Sequence, residues 1–547
     1  MEKCTGFREE LLRACQAPET AIDNLLSDCV RRHADTAFGR EYGFKHINTV
    51  EDYVRAVPIH QYDDLEPWIN RVIAGEKKVL TVDEPYMMLK TSGTTGPSKA
   101  IPHTAFWRYQ HRGPAIYALW GTYGKFFPQI FDHPHATIDF LWERETPGNF
   151  LGSFPHQGIS NREISLGGND FTPLWYDAPW HDFTGDDSGF MERIYLRIRH
   201  FIGKDLRAIV CIQPNRLLMI ADMLAKQGEQ LIADVHNGTL WGKTLFAPDP
   251  GLAAALEKLA ERDGALLPKS VWPNLDLIVC WKSKVLNLYL EEVPALYPDT
   301  AIIPLLTGAT EAIISCPVDL HPTAGVLAMN QGIYEFVPQD DDDPKPITPD
   351  TATLFYDQLT EKQAYSVVLT QANGLYRYAI GDIYRVEEYD QGIPRLTFVR
   401  RQGIYSSFNG EKLVESQVMD AFQAAVETLG LPSGLWACCP VWGHPPYYTF
   451  IVETTPEWPA HRLGRLAAEI DRQLGQHNSN YGERIAHSRL APAAVSTIAK
   501  GTFQKHWDAR VAQGASAPQL KHYFCQKNDT LLAELGAITT IGRVSAT

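Results

Sequence analysis

Apolar residues recur at helical spacing from the start of the chain. Leu11, Leu12 and Cys15, then Ala21, Leu25, Leu26 and Val30, predict amphipathic helices over about 7–32 that pack on a larger body. The short apolar run Tyr86-Met87-Met88-Leu89 reads as a strand end. A helical stretch to about residue 120 then carries Phe106, Trp107, Tyr109, Tyr117 and Trp120. Such residues usually pack a core, and could also wall a pocket for an apolar acid. Residues 129–187 are rich in Gly, Pro and His, and no element is placed there. Helices follow over 191–202, 217–227 (closed by Gly228) and 252–262 (closed by Gly264), alternating with strands over 208–212, 275–281 and 301–306. That alternation predicts an α/β body with mostly parallel strands. A β-rich stretch comes next, over 332–338, 353–356, 365–370 and 374–382, the last ending at Gly381-Asp382 beside a turn.

Phe398–Gly403 is the expected domain boundary. It leaves a large N-terminal domain, 1–401, with mixed and parallel sheets and a β-rich subdomain, and a smaller α+β domain, 402–547. In the latter, helices are expected over 414–429 and 463–474 and strands over 435–441 and 447–452. There is no internal repeat and no long low-complexity tract.

At 547 residues the chain exceeds one ordinary core. A formal net charge of -15 argues against a nucleic-acid surface or an anionic-membrane anchor, so an anionic ligand has to be met by a local positive site. Nine scattered cysteines form no C-x-x-C pair, which fits a reducing cytoplasm and offers no zinc knuckle. Met1-Glu2-Lys3-Cys4 carries charge and no apolar run, so no signal peptide is expected, and no run approaches the ~20 apolar residues of a membrane span. A monomer is the expected state.

The densest candidate chemistry is Thr91-Ser92-Gly93-Thr94-Thr95-Gly96-Pro97-Ser98-Lys99. Gly93 and Gly96 allow sharp turns and close approach to a ligand. Successive N–H groups in such a turn can hold an anion, hydroxyls add donors, and Lys99 adds a point charge. A plain surface turn rarely combines these features. The order Ser98-Lys99-Ala100 is not that of P-loop NTPases, and Pro97 with Ala100 spoils a serine nucleophile elbow.

Two further pieces lie downstream. Thr307-Gly308-Ala309-Thr310-Glu311 follows a strand, where ligands gather in α/β sheets. Asp382 could accept two hydrogen bonds from a vicinal diol such as ribose, although Gly-Asp also makes plain turns. The run Asp340-Asp341-Asp342-Asp343 reads as a solvated loop. His133, His135, His156 and His181 lack metal-ligand spacing and read as ordinary polar or packing residues.

Together these pieces resemble the adenylate-forming superfamily of acyl-CoA synthetases and firefly luciferase. The wording is closest to one branch, the Gretchen Hagen family of acyl acid–amido synthetases. The resemblance runs from Asp35-Thr36-Ala37-Phe38-Gly39-Arg40 through Val57-Pro58-Ile59, Thr91–Lys99, Tyr334-Glu335-Phe336-Val337-Pro338 and Gly374–Asp382. It continues to Gly410-Glu411-Lys412, Gly501-Thr502-Phe503 and Gln519-Leu520-Lys521.

The resemblance implies an ATP- and Mg²⁺-dependent ligase. It would adenylate a carboxylic acid, release diphosphate, and pass the acyl group to an amine, an amino acid by family habit. It assigns the β- and γ-phosphates to Ser92, Gly93, Thr94, Thr95, Gly96 and Lys99, and further nucleotide contacts to Gly308, Ala309 and Arg401. Thr310 would touch the α-phosphate, Glu311 would bind Mg²⁺, and Asp382 would hold the ribose. Lys521 would enter for the first step from a mobile C-terminal domain, with Lys412 a second basic contact and Lys500 a rival. One departure stands out: the family's adenine-packing tyrosine is Thr307 here. Two other readings stay open, an adenylase that hands the acyl group to coenzyme A or a carrier-protein thiol, and a non-catalytic carboxylate-binding protein.

Overall fold

The computed structural model describes residues 2–91, 99–133, 135–140, 150–158, 190–212, 214–282, 290, 292–339, 346–401, 405–406, 408, 411, 413–432, 434–443, 445–454, 460–486, 490–512, 522, 524–526 and 528–541. The chain forms two compact units, Met1–Pro338 with Ile347–Val399, and Gln339–Pro346 with Arg400–Thr547. The division falls within the last residues of the strand Ile393–Arg401, just before the expected 401/402.

In the first unit, helices Glu2–Gln16 and Pro18–Cys29 bury Leu11, Leu25 and Leu26 as the spacing predicts. A four-stranded sheet pairs Pro85–Lys90 with Ala100–Thr104 antiparallel and with Phe154–Gly158 parallel. A second sheet is wholly parallel, in the order Ala301–Pro304, Leu277–Cys280, Ala208–Val210, Thr137–Asp139. Its central strands are buried throughout, which explains their unbroken apolar runs.

The β-rich section is a seven-stranded sheet in the order Thr307–Gly308, Ile313–Cys316, Gly325–Leu327, Ile393–Arg401, Leu375–Asp390, Ala364–Gln371, Ile333–Gln339.

Local chemistry overrode four expectations. Gly228 does not close a helix: Asn215–Lys226 ends at Gln227, and Gly228 opens another helix, Gly228–Asn237, whose true left-handed stop is Gly238 at φ +71°. Residues 353–356 form no strand; Leu354 makes one bridge to Phe336 before a 3₁₀ turn at Tyr356–Gln358. Gly381-Asp382 does not end a strand. It lies inside the 16-residue strand Leu375–Asp390, where Ile380, Gly381 and Asp382 stand opposite Val367 alone. The bulge needs Gly381 at φ +76°, a value glycine adopts without strain. Finally, the aromatic helix is interrupted by a π segment, Arg108–Arg112, between Ala105–Trp107 and Gly113–Phe126. Trp107, Tyr117 and Trp120 are core, whereas Tyr109 is exposed.

The second unit is built on a sheet in the order Trp436–Val441, Tyr447–Thr454, Ala494–Ala499, Ile538–Ile541. Helices Glu415–Leu429 and Ala460–His477 accompany it, close to the expected spans.

Candidate active site

Lys99 stands at the foot of the loop that joins the antiparallel strands Pro85–Lys90 and Ala100–Thr104. The foot is closed twice: Thr91 N–H donates to the Lys99 carbonyl (3.2 Å), and Lys99 N–H donates to Thr91 Oγ1 (3.0 Å). The half-buried Lys99 ammonium donates to Tyr378 Oη at 3.0 Å. It also lies 5.2 Å from the Tyr62 ring centre and 5.6 Å from that of Tyr378. Aromatic faces attract a cation while leaving its charge unneutralised. Tyr62 Oη meets the next residue, accepting from Ala100 N–H at 2.8 Å.

The backbone explains why these rings meet. His60 bridges Tyr378 in parallel, with His60 N–H donating to the Arg377 carbonyl and Ala379 N–H to the His60 carbonyl, each 2.9 Å. Tyr62 then begins the helix Tyr62–Ile73, two residues further on.

Thr310 and Glu311 sit at the tip of the hairpin between Thr307–Gly308 and Ile313–Cys316. Ala309 N–H donates to the Ala312 carbonyl at 2.8 Å, and Thr307 Oγ1 meets Ser315 Oγ at 2.6 Å. A Cβ on Gly308 would fall 2.4 Å from the Ala312 oxygen, so only glycine fits this bend.

Arg112, at the end of the π segment, fastens the tip by donating to the carbonyls of Ala309 (3.3 Å) and Thr310 (3.1 Å). Burial pushes its pKa down to about 10, and the Glu311 charge opposes that fall. Burial also raises the Tyr62 phenol, and the Glu311 charge adds to the rise.

Asp382 is buried on its bulge, four positions along the strand from Tyr378. Thus Lys99, Gly308, Ala309, Thr310, Glu311 and Asp382 all belong to the first unit. Ser92, Gly93, Thr94, Thr95, Gly96, Lys412, Lys521, His181 and the aspartate run lie outside the described residues, as does the side chain of Arg401.

Tyr62, Arg112 and Tyr378 escaped the sequence reading. Tyr378 lay inside a quoted motif, but nothing local marks Tyr62 or Arg112 as neighbours of Lys99 and Glu311.

A Mg²⁺ ion fits this donor set through one carboxylate, Glu311. Mg²⁺ keeps several waters and takes one or two carboxylates with substrate phosphates. Among the described residues no group of three or more His, Cys, Asp or Glu that could hold a metal ion occurs. No helix among them is long and apolar enough to cross a membrane.

Three family models cover most of the chain: the GH3 family N-terminal domain matches residues 7–302, the central domain 325–401 and the C-terminal domain 416–530. The chain belongs to the GH3 family. Among GH3 relatives, it is 24% identical to indole-3-acetic acid-amido synthetase GH3.8 of Oryza sativa subsp. indica, over 94% of this chain and 89% of that protein. It is 23% identical to indole-3-acetic acid-amido synthetase GH3.10 of Arabidopsis thaliana, over 92% and 93%. The fold matches the AtGH3.15 acyl acid amido synthetase in complex with 2,4-DB at a TM-score of 0.79, with 17% identity, over 97% of this chain and 96% of that one. It matches 2-hydroxyisobutyryl-CoA ligase in the postadenylation state at 0.51, with 12% identity, over 96% and 92%.

Proposed function

We propose that this GH3 chain joins a carboxylic acid to an amine, an amino acid as acceptor, through an acyl adenylate, releasing AMP and diphosphate. One observation carries the reading most directly. Lys99, at the foot of a hydroxyl-rich loop, keeps its ammonium half-buried against the Tyr62 ring (5.2 Å) and Tyr378 Oη (3.0 Å), and Tyr378 lies on the strand that four residues later carries the buried Asp382.

The chemistry asks for such a cation. A carboxylate oxygen attacking the α-phosphate builds negative charge between two anions, and pre-aimed donors stabilise it without reorganising. Ser92, Gly93, Thr94, Thr95, Gly96 and Lys99 are assigned the β- and γ-phosphates, Thr310 the α-phosphate, and Gly308 and Ala309 further nucleotide contacts. Asp382 is assigned the ribose, and Arg401 and Lys412 further basic contacts. Lys521 is assigned the cationic contact of the first step. Glu311 would hold Mg²⁺, which when bound neutralises charge on the phosphates. The working unit is one chain, in a reducing cytoplasm where its nine cysteines stay free, as they are here.

The test is ATP–pyrophosphate exchange with the full chain across a panel of aryl, indolyl and aliphatic carboxylic acids, followed by product mass with amino acids or coenzyme A added. Exchange with at least one acid and an amide product are expected. A thioester product would move the chain to a thiol-acceptor ligase. No exchange in protein that binds ATP would leave a non-catalytic carboxylate binder.

A further inference from the structure

Lys99 is held without being neutralised. Its ammonium donates to Tyr378 Oη at 3.0 Å and stands 5.6 Å from the centre of that ring and 5.2 Å from the centre of the Tyr62 ring. Among the described residues no carboxylate pairs with it. A carboxylate in place of the phenol would fix the lysine and cancel its charge. A neutral oxygen and two ring faces fix it and leave the charge available to an anion.

The holder is stiffer than the lysine it holds. A lysine ammonium rides on a flexible four-carbon stem. Tyr378 is 0% exposed inside the strand Leu375–Asp390. Just before it, Arg377 is clamped by Glu335 (2.9 and 2.7 Å). One residue earlier, Tyr376 donates its hydroxyl to the Leu80 carbonyl and stacks on Phe38 with ring centres 4.6 Å apart. His60 pins the backbone on both sides of Tyr378, through Arg377 and Ala379. Tyr62 is fixed as well, since its hydroxyl accepts from Ala100 N–H, one residue after Lys99.

We propose that Tyr378 is a positioning residue for Lys99: it keeps the ammonium in one place, still charged, for the β- and γ-phosphates of the nucleotide. The proposal rests on the phosphate assignment of Lys99 made above. Without the phenolic oxygen the stem divides its time among several rotamers. Apparent affinity then falls in proportion to the time spent away from the binding-competent one. A misplacement near 1 Å can also cost about 100-fold in rate.

Calorimetric binding of Mg²⁺-ATP and of AMP to the full chain, with no acid present, tests this, because AMP lacks the phosphates that Lys99 would meet. Y378F removes the oxygen and keeps the ring; K99M removes the ammonium and keeps the stem. Y378F is expected to weaken ATP about 5- to 10-fold and to leave AMP unchanged. Added to K99M, which already binds ATP weakly, Y378F is expected to cost nothing more, so the double variant matches K99M within about twofold. Pyrophosphate exchange, with whichever of indole-3-acetate, benzoate and octanoate is most active in unaltered protein, should fall about 10-fold in Y378F. Unchanged ATP affinity in Y378F, equal weakening of ATP and AMP, or a further loss on adding Y378F to K99M would overturn the positioning role. K99M that binds ATP as tightly as the unaltered chain would instead remove the phosphate assignment beneath it.

Discussion

Two buried arginines flank the first unit's candidate site, and they meet the cost of burial in opposite ways. Arg377 is 4% exposed and Glu335 1%. They form a two-pronged pair, Nε to Oε1 at 2.9 Å and Nη2 to Oε2 at 2.7 Å, and Arg377 Nη1 also donates to the carbonyls of Val54 and Val57. Its charge is consumed by its partners. The pair ties strand Leu375–Asp390 to strand Ile333–Gln339 and to the end of helix Val50–Ala56, and it holds Arg377 at an uncommon φ of +44°. Arg112 is also buried, but its bonds go to two backbone carbonyls, and the Glu311 carboxylate acts on it through charge. A charge already paired builds the frame; a charge held by dipoles still projects a field toward an incoming anion.

The comparison predicts where each loss should register. Arg377→Met leaves Glu335 charged and buried, and should cost about 3–5 kcal/mol in denaturant unfolding, with much of it recovered in the R377M/E335L double variant. A cost below about 1 kcal/mol would mean that the pair does not frame the strand.

Arg112→Met should behave differently. It loses two hydrogen bonds but also removes a desolvated cation, so stability should fall by only about 1–2 kcal/mol. Pyrophosphate exchange should fall about 100-fold, since the fixed cation behind the Ala309–Thr310 tip, proposed to meet the α-phosphate, is gone. Arg112→Lys should recover only part, because both carbonyls are met by Nη1 alone and the shorter lysine stem has to bring a strongly hydrated ammonium to that same point. If R112M unfolds as readily as R377M, the two arginines do the same job and the contrast fails.

Much of this frame was readable from residues alone. The terminal helices and the parallel strands follow from apolar periodicity, because burial on one face or both leaves a pattern. Gly, Thr and Lys in such density have few structural uses, which is what makes Thr91–Lys99 and Thr307–Glu311 stand out; of the first, only Thr91 and Lys99 are among the described residues. Other features carry no local signature. Gly381 reads equally as turn or bulge, and only the register against Val367 decides. Gly228 reads as a helix stop until the helix Gly228–Asn237 is seen to begin on it. Arg112 has the composition of any solvent-facing helical arginine, and its role depends on a hairpin roughly 200 residues away in sequence. Tyr62 is likewise silent until the His60–Tyr378 bridge brings it under Lys99.

The smallest expected effect sharpens the contrast through protons. Beside each arginine in sequence or space lies a buried imidazole. His60 Nδ1 meets the Tyr376 carbonyl at 2.9 Å, next to the Arg377 clamp, and burial lowers its pKa. His111 precedes Arg112 and burial holds its pKa down, to about 4. An unfolded imidazole titrates near 6.5, so between roughly pH 6.5 and 4 the unfolded chain binds the additional proton. The stability carried by neutral His111 is complete above that window and is lost as pH falls through it. The loss should be about 1–2 kcal/mol, less than the full shift implies, because Asp28 Oδ2 lies 3.6 Å from His111 Nε2 and can receive the charge. His111→Gln should flatten the acid limb of a stability–pH curve by that amount and leave the neutral limb almost unmoved. His60→Gln should flatten it too, while also loosening the bridge that places Tyr62. An acid limb unchanged in H111Q would show that the π segment is not where protons enter, and that the Arg112 side of the site is no more sensitive to acid than the Arg377 frame.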